Sequence, residues 1–274
     1  MYMTRKSTKP NLRRNLDLRI GAYQFAVGSN ITDNFHAVCR GVEEAVRQNI
    51  RLLVFPECAL TGYPPRDIKS AADVNFEELN VAYQEIKKMS EKYDMYILVG
   101  TITKEQNKYY NSARLISPGK TTENYHKRAL WGWDKDNFTI GNKEGIFAID
   151  GIKIGVRICF EVRYPEYFRE LYRENTVLNI ILFYDVADSD DIERYALIKS
   201  HIRTRAVENV TYTMSVNSIR PYQTAPTGIF DKSGRTINEL KRNKENLLIY
   251  NFDNIADDFG EKGRRSISDV LTEK

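Results

Sequence analysis

Short apolar runs alternate with amphipathic patterns along most of this 274-residue chain. Runs with strand character occur at residues 18–27, 51–55, 95–101, 109–116, 145–149, 152–158, 177–183, 211–216, 227–230 and 247–251. Helical spacing predicts helices over 33–48, 75–93, 164–174 and 190–207, the first with Asp33 as its N-cap. Asp150-Gly151 separates two of the strands and is typical of a tight hairpin turn. Strands that alternate with helices, together with hairpins, predict an α/β fold with a mixed sheet.

The composition is typical of a globular protein that folds around its own core. Hydrophobic residues make up 42% of the chain and charged residues 28%. A chain of this length buries enough surface to fold without disulfides or a metal, which excludes a disordered chain and a small disulfide scaffold. The longest apolar stretch, 177–184, is far shorter than the roughly 20 residues of a membrane helix, so we expect no membrane partner.

The charge distribution distinguishes the two ends from the rest of the chain. A net charge of +4 is too small to predict a nucleic-acid partner. Basic residues without any acid before Asp17 predict a basic N-terminal tail over 1–17, with a transit peptide as the alternative. No apolar segment follows them, so we expect no secretory signal. Residues 253–274 are polar and predict a tail or a dimer arm, which leaves 18–252 as the main domain.

Two segments place a charged residue where a chemical role is plausible. Glu57 comes directly after the run at 51–55 and Pro56, and ligands gather at the carboxyl ends of strands in α/β sheets. It is a candidate general base, with a solvated loop glutamate as the alternative. Lys127 lies in a basic segment beside both tryptophans, where an ammonium can stabilise developing negative charge. The alternative is a basic surface whose tryptophans belong to the core.

The cysteines supply a candidate nucleophile. Cys159 ends the strand 152–158 just before a predicted helix, whose N-terminus would acidify the thiol. Inert packing is the alternative, and we expect it for Cys39 and Cys58. Three cysteines are too few, and odd in number, for a disulfide framework, so they favour a reducing compartment and a cytoplasmic protein. Together, a thiol can attack a carbonyl carbon, a carboxylate can move the proton and an ammonium can stabilise the oxyanion.

With these residues in this order, the sequence resembles the nitrilase superfamily, the carbon–nitrogen hydrolases. The resemblance runs from Leu18 to Phe252 and rests on four motifs: Pro56-Glu57 with Thr61-Gly62-Tyr63-Pro64, Asn111-Ser112-Ala113, the segment 159–166, and Arg205-Ala206-Val207-Glu208-Asn209. It implies a four-layer αββα sandwich with mixed sheets that assembles into a homodimer or a higher homo-oligomer. It also implies a Glu57–Lys127–Cys159 triad, with the backbone N–H of Phe160 in the oxyanion hole.

The chain departs from the family pattern at two positions. Asp134 stands where the family often has a second Glu, so the reach of this possible second acid is shorter by one methylene. Ala129 replaces a usual His two residues after the lysine. The loops around the triad give the candidate substrate-binding residues, which are Tyr63, Trp131, Trp133, Arg163, Tyr184 and Asp185. Cysteines and histidines show no zinc spacing and no glycine-rich phosphate loop is present, so we expect no metal and no cofactor.

The resulting hypothesis is an enzyme that uses water to hydrolyse a small-molecule amide or an N-carbamoyl amine through a cysteine thioester. Three alternatives remain open. A non-catalytic binding or scaffold protein could keep the fold. The loop from Thr61 to Asp67 resembles that of glutaminase domains attached to ammonia-using synthetases, so a free-standing glutaminase subunit is a second alternative. A papain-like pairing of Cys159 with His201 is the third, although His201 has no clear orienting partner in the sequence.

Overall fold

The computed structural model of the protein describes residues 18–253 and 255–272, and within them the apolar runs form fourteen strands. In chain order the strands are β1 (Leu18–Gln24), β2 (Leu52–Val54), β3 (Tyr96–Glu105), β4 (Lys108–Ile116), β5 (Glu123–His126), β6 (Ile146–Ile149), β7 (Ile152–Ile158), β8 (Leu178–Phe183), β9 (Val186–Ala187), β10 (Tyr212–Asn217), β11 (Tyr222–Gln223), β12 (Gly228–Phe230), β13 (Thr236–Glu239) and β14 (Asn246–Phe252). The α-helices of the same residues are α1 (Ile31–Arg47), α2 (Phe76–Tyr93), α3 (Trp133–Asn137), α4 (Pro165–Arg173), α5 (Ile192–Asn209) and α6 (Phe259–Leu271). None of these helices is long and apolar enough to cross a membrane.

Twelve of the strands form two six-stranded sheets with the same plan. The first sheet has the order β14-β1-β2-β3-β4-β5 and the second has the order β13-β12-β10-β8-β7-β6. In each, three central strands are parallel and the outer strands are antiparallel to their neighbours. The mixed sheets predicted from the sequence are therefore present, and the parallel strands direct their carboxyl ends to one edge.

Three apolar layers hold the sheets and helices together. Side chains such as Ile20 and Leu98 of the first sheet pack against Ile154 and Met214 of the second. On the outer face of the first sheet lie α1 and α2, and on that of the second lie α4 and α5. Because both faces of each sheet are covered, the central parallel strands are almost entirely buried. This arrangement confirms the four-layer αββα sandwich.

Turn chemistry explains where several elements begin and end. Asp150 and Gly151 have φ values of 49° and 84° and join β6 to β7, which confirms the predicted hairpin. The prediction of Asp33 as N-cap of α1 is wrong. The helix begins at Ile31, and the Asn30 side chain accepts the backbone N–H of Asp33. Both residue types cap helices well, so composition alone does not separate them.

The polar C-terminal segment folds back as helix α6. Asp258 caps it, and the Glu261 side chain returns the hydrogen bond to the backbone N–H of Asp258. Arg169 and Tyr172 of α4 bond Ser268 and Asp269 of the helix. The sequence analysis had no helix here, and the role of the segment as a dimer arm stays a prediction. The basic tail over 1–17 lies outside the described residues.

Two glycines allow unusually close backbone packing beside the candidate site. Gly100 of β3 donates its N–H to the carbonyl of Pro56 at 3.1 Å, and a Cβ on it would lie 2.6 Å from the Cα of Glu57. Gly141 donates its N–H to the carbonyl of Lys127 at 3.0 Å, and a Cβ there would overlap the backbone of His126. Since the opposing atoms are backbone atoms, neither position has room for a side chain.

Gly100→Ala is expected to lower the free energy of unfolding by about 1–3 kcal/mol, because the added methyl must displace the turn that carries Glu57. Urea unfolding of both proteins measures the difference. Gly263→Ala in α6 is the matched control, since nothing lies within 4 Å of its Cβ position. We expect that control to be neutral or to stabilise by up to about 1 kcal/mol. Equal stability of the two variants would contradict the close-packing argument.

Candidate active site

The three residues singled out for chemistry each follow the carboxyl end of a strand. Glu57 comes after β2 and Pro56, Lys127 directly after β5, and Cys159 directly after β7. Lys127 Nζ donates to Glu57 Oε1 at 2.9 Å, and both side chains are buried. The charges of Glu57 and Lys127 both act on the Cys159 thiol. The two sheets thus bring an acid, an amine and a thiol into one site, while their roles in a reaction stay predictions.

The Glu57 carboxylate has a hydrogen-bond donor on each oxygen. Oε1 accepts from Asn111 Nδ2 at 2.7 Å in addition to Lys127, and Oε2 accepts from the backbone N–H of Tyr184 at 2.8 Å. Asn111 belongs to β4 of the first sheet, whereas Tyr184 follows β8 of the second. The orientation of the carboxylate is therefore fixed by both halves of the sandwich.

Asp134 reaches the site despite its short side chain. Its Oδ2 lies 2.8 Å from Lys127 Nζ, and its Oδ1 accepts the hydroxyl of Tyr63 at 2.8 Å. The residue is buried in the first turn of α3, an element absent from the sequence prediction. Asp134 therefore contacts Lys127 directly, so the ammonium lies between two carboxylates.

Burial and neighbouring charges set the proton affinities of the site. Burial raises the pKa of Glu57, and the charge of Asp134 raises it further, while Lys127 opposes both. Burial disfavours the charged form of Lys127, but the charges of Glu57 and Asp134 outweigh it and hold its pKa well above the usual range. Lys127 therefore keeps its charge.

The Cys159 thiol is protonated in this environment. Burial and the charge of Glu57 raise its pKa well above the ordinary value, although Lys127 acts in the opposite direction. The expected acidification by a helix N-terminus is wrong, because α4 begins only at Pro165. Cys159 instead starts a 3₁₀ turn with a φ of 46°, a left-handed conformation that a non-glycine residue adopts at a cost of about 1–3 kcal/mol. A thiol of this kind needs a base to become a nucleophile.

Glu161 fixes the position of the Cys159 turn relative to the Lys127 segment. This fully buried carboxylate accepts the Tyr125 hydroxyl at 2.6 Å and the backbone N–H groups of Arg128 and Ile158 at 2.7 Å each. The bonds join residues on either side of Lys127 to the residue before Cys159. Glu161 and Asn111 both lie in motifs on which the family resemblance rests, but the sequence predicted no individual role for either residue. The available signal was a polar residue in or directly beside a mostly apolar strand.

The candidate substrate-binding residues divide into two groups. The rings of Tyr63 and Tyr184 stack with their centres 5.2 Å apart. The Asp185 carboxylate accepts two hydrogen bonds from the Arg194 guanidinium, at 2.8 and 2.9 Å. These three side chains therefore have internal partners. The other three lie at the periphery, where Trp131 and Trp133 are 67% and 51% exposed and Arg163 lies 5.6 Å from the Phe160 ring. The alternative that both tryptophans belong to the core is wrong.

Two further observations concern a possible metal site and His201, the histidine of the papain-like alternative. Among the described residues, no group of three or more His, Cys, Asp or Glu could hold a metal ion. His201 lies half-buried on α5, and burial with the charges of Arg163 and Arg205 lowers its pKa.

The chain matches a known protein family over most of its length. The sequence model of the carbon–nitrogen hydrolases matches residues 19–256. A glutamine-dependent NAD(+) synthetase from Aquifex aeolicus is 22% identical over 93% of the chain and 44% of its own length. A 2-oxoglutaramate amidase from Bacillus subtilis is 27% identical over 61% of the chain and 62% of its own length. The chain therefore spans less than two thirds of these relatives.

Solved structures share the same architecture. An amidase from Nesterenkonia sp. superposes with a TM-score of 0.76, covering 96% of this chain and 100% of that chain at 19% sequence identity. At this identity the likeness shows the fold alone.

Replacement of Glu161 by Ala is expected to destabilise the protein by at least about 3 kcal/mol, because it leaves several buried donors without an acceptor. Urea unfolding gives the value. Glu174→Ala is the matched control, since its exposed pair with Lys153 should contribute less than about 1 kcal/mol. A loss no larger than that of the control would show that Glu161 does not hold the two segments together.

Proposed function

Since the chain belongs to the carbon–nitrogen hydrolase family, we propose that it hydrolyses the carbon–nitrogen bond of a small amide or N-carbamoyl amine through a thioester on Cys159. The observation that carries the proposal is the position of the Lys127 ammonium, 2.9 Å from Glu57 and 2.8 Å from Asp134, in a site that also holds the thiol. A base, a nucleophile and an oxyanion-stabilising cation are what amide cleavage by a cysteine requires.

In the first half of the reaction, Glu57 takes the proton of the Cys159 thiol, and the sulfur attacks the substrate carbonyl carbon. The Lys127 ammonium and the backbone N–H of Phe160 stabilise the tetrahedral oxyanion. Glu57 then gives its proton to the leaving nitrogen, the carbon–nitrogen bond breaks, and ammonia or an amine departs. The raised pKa of Glu57 suits a group that both accepts and returns a proton.

In the second half, Glu57 takes a proton from water, whose oxygen attacks the thioester carbon. The second tetrahedral intermediate is stabilised by the same donors. When it collapses, the carbon–sulfur bond breaks, the acid is released, and the sulfur regains the proton held by Glu57. Asp134 keeps Lys127 in position, since its carboxylate is fixed from the other side by Tyr63. No step needs a metal.

The relatives favour one further candidate function. Synthetases named as glutamine-dependent match the chain, and the Tyr63 loop that resembles theirs is closed by Asp67, which accepts the Tyr63 N–H at 2.8 Å. A glutaminase that supplies ammonia to a synthetase is therefore the second candidate. A preference for glutamine over other amides, with capture of a synthetase from a lysate, would favour it.

Cys159→Ala is expected to lower ammonia release from small amides by at least about 10³-fold, because the thioester cannot form. Enzymatic detection of ammonia over a panel of amides and N-carbamoyl amines measures the change. Cys39→Ala is the matched control, since Cys39 is also half-buried but lies on α1, away from the site, and this variant should retain full activity.

Mass spectrometry gives the direct test of the intermediate. A slowly hydrolysed ester should leave an acyl group on the peptide that contains Cys159 and on no other cysteine peptide. A Cys159→Ala protein with wild-type turnover would refute the thioester route. A wild-type protein that releases no ammonia and forms no acyl adduct would favour the non-catalytic scaffold.

The pH dependence of kcat/KM should report Glu57. Activity requires its carboxylate form, so kcat/KM should rise with pH through a pKa above the ordinary 4.5. Asp134→Asn removes an anion that raises this pKa, so the acid limb should move to lower pH. Asp136→Asn, an exposed carboxylate in the same helix, should leave the limb in place. An unchanged or higher limb in Asp134→Asn would contradict the assignment of Glu57 as base.

A further inference from the structure

A cavity of about 430 Å³ lies between the segments that follow Lys127 and Cys159. Residues 128–131 form one wall, and Phe160, Tyr164 and Tyr167 form the other, with Ile140 at the side. Phe160 is the residue directly after Cys159. The cavity is therefore lined by residues that directly follow Lys127 and Cys159 in the chain.

Aromatic and aliphatic groups dominate the surface of this cavity. The rings of Phe160 and Tyr164 pack edge to face with their centres 5.5 Å apart, and those of Tyr164 and Tyr167 pack in the same way with their centres 6.2 Å apart. Trp131, Ile140 and Tyr164 are 67%, 63% and 40% exposed, so a large apolar surface faces water in the free protein. An apolar ligand that covers it would be stabilised by the removal of this surface from water.

The charges of the lining disfavour an anionic ligand. Arg128 pairs with Glu170 and lies 4.5 Å from the centre of the Tyr167 ring, so its guanidinium is engaged within the protein. Glu166 is an exposed carboxylate of the lining and repels anions. An anionic group placed against the aromatic walls would lose hydration beside this carboxylate. The cavity therefore suits a group without negative charge.

We propose that this cavity binds an apolar, ring-bearing group of the substrate, so that amides carrying an aryl or similar group beside the scissile bond are the preferred class. The inference rests on the proposed amide hydrolysis and deepens it. The free amino acid glutamine, which carries a carboxylate, fits these walls poorly. The ring can belong to the acyl part or to the leaving amine, because the cavity contacts the segments of both Cys159 and Lys127.

The experiment compares three substrates of the wild-type protein. Acetamide has no ring, phenylacetamide has one on the acyl side, and N-benzylacetamide has one on the amine side. We expect kcat/KM for at least one ring-bearing amide to exceed that for acetamide by about tenfold or more. The better of the two identifies the part of the substrate that enters the cavity. Hydrolysis of acetamide with no preference for either ring would overturn the inference and leave the proposed function intact.

Variants locate the preference in the cavity. Trp131→Ala and Tyr164→Ala should each lower the ratio of the two kcat/KM values, ring-bearing amide over acetamide, by about tenfold. Tyr93→Ala is the matched control, since Tyr93 is 38% exposed, close to the value for Tyr164, but ends α2. It should leave the ratio unchanged. An unchanged ratio in both cavity variants would place the preference elsewhere and overturn the inference.

A binding measurement separates failure of the pocket from failure of the reaction. Calorimetric titration of phenylacetamide and N-benzylacetamide into the Cys159→Ala protein should show binding that Trp131→Ala weakens about tenfold. If the wild-type protein hydrolyses no amide, the proposed function fails, and with it the cavity as a substrate subsite. Turnover of acetamide without binding of either ring compound would overturn the cavity inference alone.

Discussion

A lysine ammonium buried between two carboxylates is the interaction on which the candidate site depends. Lys127 bonds Glu57 and Asp134, and the three side chains are almost fully removed from water. Such a cluster is stable only when the remaining oxygens also have donors, because removing one partner of a buried ion pair costs about 3–5 kcal/mol. Asn111 and Tyr63 supply such donors. Burial of the charges therefore depends on strand β4, which carries Asn111, and on the loop that carries Tyr63.

The same cluster explains why the two sheets and the site form one unit. Glu57 follows a strand of the first sheet, yet the backbone N–H of Tyr184, after a strand of the second, binds its carboxylate. Glu161 makes the corresponding link between β5 and β7. Any shift of one sheet over the other would break hydrogen bonds to a buried carboxylate. The apolar interior holds the layers together, and these polar links fix their relative position.

The fold followed from the sequence to the extent that it depends on local pattern. Short apolar runs located most strands, and Asp150-Gly151 located a hairpin, because positive φ at two successive positions selects those residues. Helix α6 was missed because its residues are mostly polar, although Asp258 and Glu261 form a capping box that is visible in the sequence. The short strand β5 was missed because four residues carry little periodicity.

The site followed from the sequence only in part. Glu57 and Cys159 could be selected because each has a reactive group and follows a predicted strand, and Lys127 because it lies in a basic segment beside both tryptophans. Glu161 could not, because burial is a property of the folded chain, and a glutamate is usually exposed. The protonated state of the Cys159 thiol also depends on burial and on Glu57, a residue about a hundred positions away in sequence.

Close contact of Gly100 with the Glu57 turn, and of Gly141 with the backbone before Lys127, means that the segments carrying these two side chains pack directly against main chain. Main-chain shape cannot be adjusted by exchanging one side chain for another. Diversification of substrate range in descendants of this protein would consequently fall on the walls, where Trp131 and Ile140 have free space around them. The architecture thus separates tightly packed backbone around Glu57 and Lys127 from exposed side chains that have room to vary.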